Sequence, residues 1–172
     1  MSWEEIFAKW RESEAWQESW KKHWESRGWS SWDEWRKAYS APLFPGNLQW
    51  FLFEVKEPLK DSSLFYGVPS RSWIEKVYGE ASPKQLRDIL DHPIIRDNDK
   101  ISAIKKNFPE ETMLTGLVHE DKIILIEGMH RACALASWDP AKPLEAKITI
   151  ALAKWKEKDI PIIGGNYKKS DH

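Results

Sequence analysis

From Trp3 to Trp24, large apolar residues recur at helical spacing. At about 100° per residue, Trp3, Ile6, Trp10, Trp16, Trp20 and Trp24 fall within an arc of roughly 140°. Lys, Arg, Glu and Ser occupy the opposite face. Ser2 with Glu5 forms a capping box that starts a helix at Trp3. The pattern predicts one amphipathic helix ending near Ser26-Arg27-Gly28, with Gly28 as the residue just past the last turn. Ser31 with Glu34 makes a second capping box, and a short helix follows from Trp32 to about Tyr39. Pro42 and Pro45-Gly46 close this segment. The echo between Ser2-Trp3-Glu4-Glu5 and Ser31-Trp32-Asp33-Glu34 is too short to establish a repeat.

Further along, the period changes. Leu48 to Val55 is apolar and aromatic and reads as a strand. Pro58 to Gly67 reads as a loop. A short helix begins near Ser70-Ser72-Trp73 and ends at Gly79. Ser82 with Pro83 predicts a helix to about Leu90, broken by Asp91-His92-Pro93. Asp97 or Asp99 caps another helix to Asn107. Thr112 to Val118 and Lys122 to Ile126 read as a hairpin around His119-Glu120-Asp121. Arg131 to Trp138 reads as an Ala- and Leu-rich helix. Leu144 to Trp155 alternates and reads as a half-buried strand, and Ile160 to Ile163 as a short extended segment. Gly164-Gly165 and Lys168 to His172 read as a frayed tail. Short helices, then a hairpin, a helix and a last strand suit an α+β fold with a mixed sheet. The expected organisation is a Trp-rich helical module at 1–42, a domain at 43–158 and a tail at 159–172.

Composition narrows the function classes. The chain has 172 residues and a net charge of −1, so no global charge draws it to nucleic acid or anionic membrane. Scattered basic residues with acidic neighbours make nucleic acid an unfavoured partner. No apolar run is long enough to span a bilayer. Cys133 is the one cysteine, and the first residues lack a signal-peptide pattern, so the expected setting is reducing and cytoplasmic. Of the 12 tryptophans, eight lie between Trp3 and Trp35. Such a stripe packs against the rest of the protein or a second copy, or serves as a stacking platform. Its many glutamates disfavour a membrane surface or nucleic acid.

The candidate chemistry lies in KIILIEGMHRACALASW, Lys122 to Trp138. A strand that ends in a glycine turn and opens a helix leaves backbone N–H groups aimed at one spot, where the helix dipole favours an anion. Gly128 permits close approach, Arg131 offers a bidentate fork, and His130 can donate and titrate near neutral pH. Glu127 is the nearby carboxylate. The spacing Gly128-x-His130-Arg131-x-x-Ala134 resembles the signature of the ParB/sulfiredoxin superfamily, which includes ParB-like nuclease and free serine kinase-like domains. The order of elements from Phe44 to Trp155 is loosely similar.

The resemblance implies a sulfiredoxin-like fold that binds ATP or another nucleotide, with Mg²⁺ as a further cofactor. In it, Gly128, Met129, His130 and Arg131 hold phosphates. Glu127 and His130 are the catalytic candidates for a kinase-like phosphotransferase or nucleotide hydrolase acting on a small-molecule acceptor. An additional acid in an early loop is matched best by Glu54 or Glu57. The chain departs from the sulfiredoxin pattern at Met129, which stands where a catalytic cysteine precedes the histidine. Reductase chemistry is therefore rejected, and Cys133 is read as a core residue. The stretch after Trp155 is too short for the DNA-binding domain of chromosome-partitioning relatives. No His or Cys spacing suggests an all-protein metal site, and the patterns G-x-x-x-x-G-K-S/T and G-x-G-x-x-G are absent. The competing expectation is a non-catalytic interaction or homo-oligomerisation protein that uses the Trp-rich helix.

Overall fold

A computed structural model describes residues 1–80, 82–165 and 168. The Trp-rich segment forms α1 (Trp3–Glu14), α2 (Glu18–Glu25) and α3 (Trp32–Ser40). Both capping hydroxyls work as the sequence predicts: Ser2 accepts from the Glu5 N–H and Ser31 from the Glu34 N–H. The long first helix, however, is two helices. Trp16 Nε1 donates to the Glu12 carbonyl at 2.9 Å and Gln17 Nε2 to the Ser13 carbonyl at 2.6 Å, so side chains satisfy the orphaned carbonyls of α1. The break re-aims α2, and Trp20 and His23 then pack on Trp35, with ring centroids 5.4 and 5.2 Å away. Gly28 adopts the left-handed conformation at φ 80° after α2, as its position predicts.

Four strands make one mixed sheet: β1 (Trp50–Glu54), β2 (Glu111–His119), β3 (Lys122–Glu127) and β4 (Lys147–Lys154), in spatial order β1-β4-β2-β3. β2 and β3 form the expected hairpin, with an irregularity at Thr115/Gly116. β4 lies parallel to β2 and antiparallel to β1. The parallel pair needs a crossover, and β3 with the helix α8 (Met129–Ala136) supplies it. The fold is thus α+β with a mixed sheet.

Several local expectations are overturned by tertiary partners. Pro58–Leu64 is a helix, α4, with Pro58 preset for its first turn and Ser62 fully buried. The helix expected over 83–90 is absent. That backbone runs extended instead, with the Gly67 N–H donating to Lys84 and the Leu86 N–H to Phe65, before a single 3₁₀ turn at Leu86–Asp88. The short α5 (Arg71–Trp73) continues as a wider π turn to Tyr78 and stops at Gly79. Pro93–Arg96 forms the short α6 rather than only a break. α7 (Asp99–Lys106) is capped by Asn98, not by Asp97 or Asp99. α8 begins two residues earlier than predicted, at Met129. Ile163 makes only a bridge to Ser70. Of the expected frayed tail, Lys168 donates its N–H to the Arg27 carbonyl at 3.0 Å, and 169–172 lie outside the described residues.

The Trp-rich helices and the sheet contribute to one hydrophobic cluster. It contains Ile6, Trp10, Trp32 and Trp35 together with Leu114, Leu117, Leu125 and Ile150. Trp10, 1% exposed, ties the two parts polar-to-polar as well: its Nε1 donates to Thr115 Oγ1 at 2.9 Å on β2. No helix among the described residues is long and apolar enough to cross a membrane. Trp10→Ala is expected to destabilise the protein by about 3–5 kcal/mol. Trp16→Ala, at a side chain 76% exposed, is expected to change stability by no more than about 0.5 kcal/mol. Urea unfolding of the two variants measures the contrast.

Candidate functional site

β3 delivers Glu127 to the sheet end, Gly128 makes the turn, and α8 opens with Met129, His130 and Arg131. Gly128 sits at φ 96°, and a Cβ there would lie 2.5 Å from Leu114 Cδ2. Glycine is therefore required both by the backbone and by the packing beneath it. The N–H groups of Met129, His130 and Arg131 open the helix and have no intrahelical acceptor. The Met129 side chain is buried, so this residue contributes its backbone alone. Cys133 is fully buried, and burial pushes its thiol up to about 12, which leaves it inert as a nucleophile.

Arg131 does not present a free fork. Its Nη2 donates to Glu127 Oε1 at 2.5 Å, and its Nη1 to Thr112 Oγ1 and to the Met113 carbonyl at 3.2 Å. Arg131 thereby pins the Glu127 carboxylate against β2. Glu127 is buried, and its Oε2 has no hydrogen-bond partner among the described residues. Burial pushes the Glu127 carboxyl above its ordinary range, against the pull of Arg131. His130 is half-buried, edge-on to Trp73 with centroids 5.7 Å apart. Burial, with the neighbouring Lys100 charge, holds it down to about 3. The imidazole is therefore neutral near pH 7 and serves as a donor or acceptor, not as the titrating cation expected of it.

The Trp-rich helices bring a second carboxylate–guanidinium pair to the same region. Arg36 donates through Nη2 to Glu14 Oε1 and through Nε to Glu14 Oε2 at 2.8 Å, and Trp32 Nε1 adds a bond to Oε2 at 3.2 Å. Burial opposes the charge on Glu14, but the Arg36 guanidinium outweighs it and holds the carboxyl below its ordinary range. Arg131 pulls on Glu14 as well, and Arg36 on Glu127, so each pair lies within the field of the other. Burial pushes the Tyr39 phenol up to about 12, which keeps it neutral beside Arg36. Lys100, from α7, places its ammonium 3.9 Å from the Trp20 ring. Burial lowers it to about 8, so it remains mostly cationic at neutral pH, and it makes no ion pair among the described residues.

These groups border one cleft of about 1160 Å³, large enough for a nucleotide-sized ligand. Its lining carries more cations than carboxylates, in a chain whose net charge is −1. Glu127, Gly128, Met129, His130 and Arg131 all reach it. Glu54 and Glu57 do not: Glu57 instead ion-pairs with the exposed Lys60 at 3.6 Å. Glu14, Arg36 and Lys100 were not legible as site residues. The available signal was positional: Glu14 lies four residues after Trp10 and Arg36 four after Trp32, so each puts a charge on an apolar helix face.

Two outcomes test this electrostatic layout. Glu14→Gln or Arg36→Met is expected to cost about 3–5 kcal/mol by stranding its partner, and Glu14→Leu combined with Arg36→Met to cost much less, as urea unfolding checks. His130 keeps a folded-state value below its unfolded 6.5, so the unfolded chain binds more protons between about pH 6.5 and 3. Stability is therefore expected to fall as pH drops through that window, and His130→Phe to flatten the part due to this residue in thermal scans. No family model, curated protein or solved structure matches the chain.

Proposed function

We propose that this protein is a ParB/sulfiredoxin-like, cytoplasmic nucleotide-binding protein that holds phosphates at the Gly128–Arg131 junction and transfers or hydrolyses a phosphoryl group. The observation that carries the reading is the Glu127 Oε2 atom, buried and without a donor, in a cation-rich cleft beside the open end of α8. An anion answers the N–H groups and Lys100. A hydroxyl on an acceptor, or a water, answers Glu127 Oε2. A carboxyl raised by burial and pinned by a guanidinium suits a general base, because its basicity moves toward neutral pH while its position stays fixed. His130, neutral, donates to a phosphate oxygen without adding charge.

Mg²⁺ fits this site as a guest of the phosphates. Such an ion would be held by one or two protein carboxylates together with phosphate and water, and Glu127 Oε2 would hold it in place of the acceptor hydroxyl, not alongside it. Among the described residues no group of three His, Cys, Asp or Glu side chains forms an all-protein cage. Bound there, the ion would supply charge neutralisation for the phosphates.

The rival reading, protein interaction, draws support from a different surface than the Trp stripe, which mostly packs inward. On edge strand β1, Phe51 and Phe53 are each 53% exposed, an apolar edge of the kind that pairs with other chains.

Calorimetric titration with ATP, ADP, CTP and GTP, with and without Mg²⁺, separates the readings. Wild type is expected to bind at least one nucleotide saturably. Lys100→Met is expected to weaken binding by about 5- to 10-fold, the loss of one charge–phosphate contact. Glu127→Gln is expected to keep binding and abolish turnover. Absence of binding by any of the four nucleotides would sink the enzyme reading.

A further inference from the structure

We infer that Trp16 is the stacking platform for the base of the nucleotide whose phosphates sit at Gly128–Arg131. The inference rests on the nucleotide reading of the cleft and assigns that site its second half.

Of the 12 tryptophans, Trp16 alone is exposed; the others are buried or half-buried. An indole left in water is a large apolar surface without a partner, and a flat ring is the partner it fits best. Trp16 is also not a loose surface side chain. Its Nε1 is anchored to the Glu12 carbonyl at 2.9 Å, which spends the one polar atom on the helix end. That anchor holds the ring in place at the break between α1 and α2, so little freedom is lost when a ligand stacks on it.

Location ties the ring to the phosphate end. Trp16 lines the same cleft as Gly128, His130 and Arg131. The same lining includes Lys9 on α1 and Lys147 on β4, cations that suit a charged ligand running between the two ends. Stacking discriminates by ring area more than by hydrogen bonding, so purine nucleotides are expected to bind more tightly than pyrimidine ones.

The test is calorimetry on the full chain with inorganic triphosphate, ATP and CTP, using wild type, Trp16→Ala and Trp16→Phe. Wild type is expected to bind ATP more tightly than CTP, and both more tightly than triphosphate. Trp16→Ala is expected to weaken ATP by about 5- to 100-fold, with Trp16→Phe recovering much of the loss. Triphosphate affinity is expected to be the same in all three proteins. Equal ATP affinity in wild type and Trp16→Ala, or ATP binding no tighter than triphosphate, overturns the platform and leaves the phosphate site standing. Failure of wild type to bind any of the three probes overturns both. The exposed ring takes no part in the core, so circular dichroism of Trp16→Ala is expected to match wild type.

Discussion

Arg36 is a full positive charge inside a wall of aromatic rings, and the arrangement of the N-terminal half answers to that constraint. Its guanidinium carbon lies 5.2 Å from the centroid of Trp10, 5.6 Å from Trp20, 4.8 Å from Trp35 and 4.4 Å from Tyr39. The idealised cost of moving such an ion out of water is of order 20 kcal/mol, and aromatic faces recover only a small part of it. The two oxygens of Glu14 offset most of the remainder, which fixes α1 against α3 in one register. A one-turn slip of either helix would leave two buried charges unpaired. A buried pair of this kind adds little net stability over apolar packing of the same volume, whereas loss of one partner alone is costly.

The pair also faces the motif. Trp10, which stacks on Arg36, reaches Thr115 of β2, and Arg131 braces Glu127 against Thr112 and Met113 of the same strand. β2 therefore joins the two carboxylate–guanidinium pairs into one electrostatic unit. Within it, the two acids are pushed apart: Glu14, with two donors on one carboxylate oxygen and one on the other, is held ionised, whereas Glu127, with one oxygen unsatisfied, is raised. Carboxylates in one cleft with opposed shifts can divide structural and chemical work between them.

What the sequence made legible follows the range of the interactions involved. The Ser2–Glu5 capping box, the Ser31 cap, the hairpin, the final alternating strand and the Gly128 turn depend on neighbours within a few residues, and all were readable; at the second cap the Glu34 carboxylate accepts from the Ser30 N–H, so the reciprocal half of the expected box is not made. The break at Ala15–Gln17 was not, because a straight helix satisfies the same periodicity and the decision rests on Trp20 reaching Trp35. Ser82-Pro83 carries a helix-start signal, but Gln85 and Lys84 find strand partners in Tyr66 and Gly67, and that pairing wins. At the site, Glu127 to Arg131 could be named because they are contiguous. Their roles could not be, since the occupation of the Arg131 fork and the neutrality of His130 are set by β2, α7 and the burial around them.

Under the proposed anion reading, that occupation shifts the anion chemistry from side chain to backbone. Both Nη atoms of Arg131 donate to protein oxygens, so the free donors that border this part of the cleft are the helix N–H groups and the Lys100 ammonium rather than a bidentate fork. Backbone donors require no side-chain ordering, and the Gly128 turn holds them in place, so these donors are preorganised. They are also undiscriminating, because N–H groups at a helix end recognise an anion and nothing more. Any selectivity among anionic ligands would then come from the rest of the cleft, much of whose lining belongs to the Trp-rich helices. Trp10 and Trp35, which pack on Arg36, are buried, whereas Trp16 is the tryptophan of that lining left open to solvent.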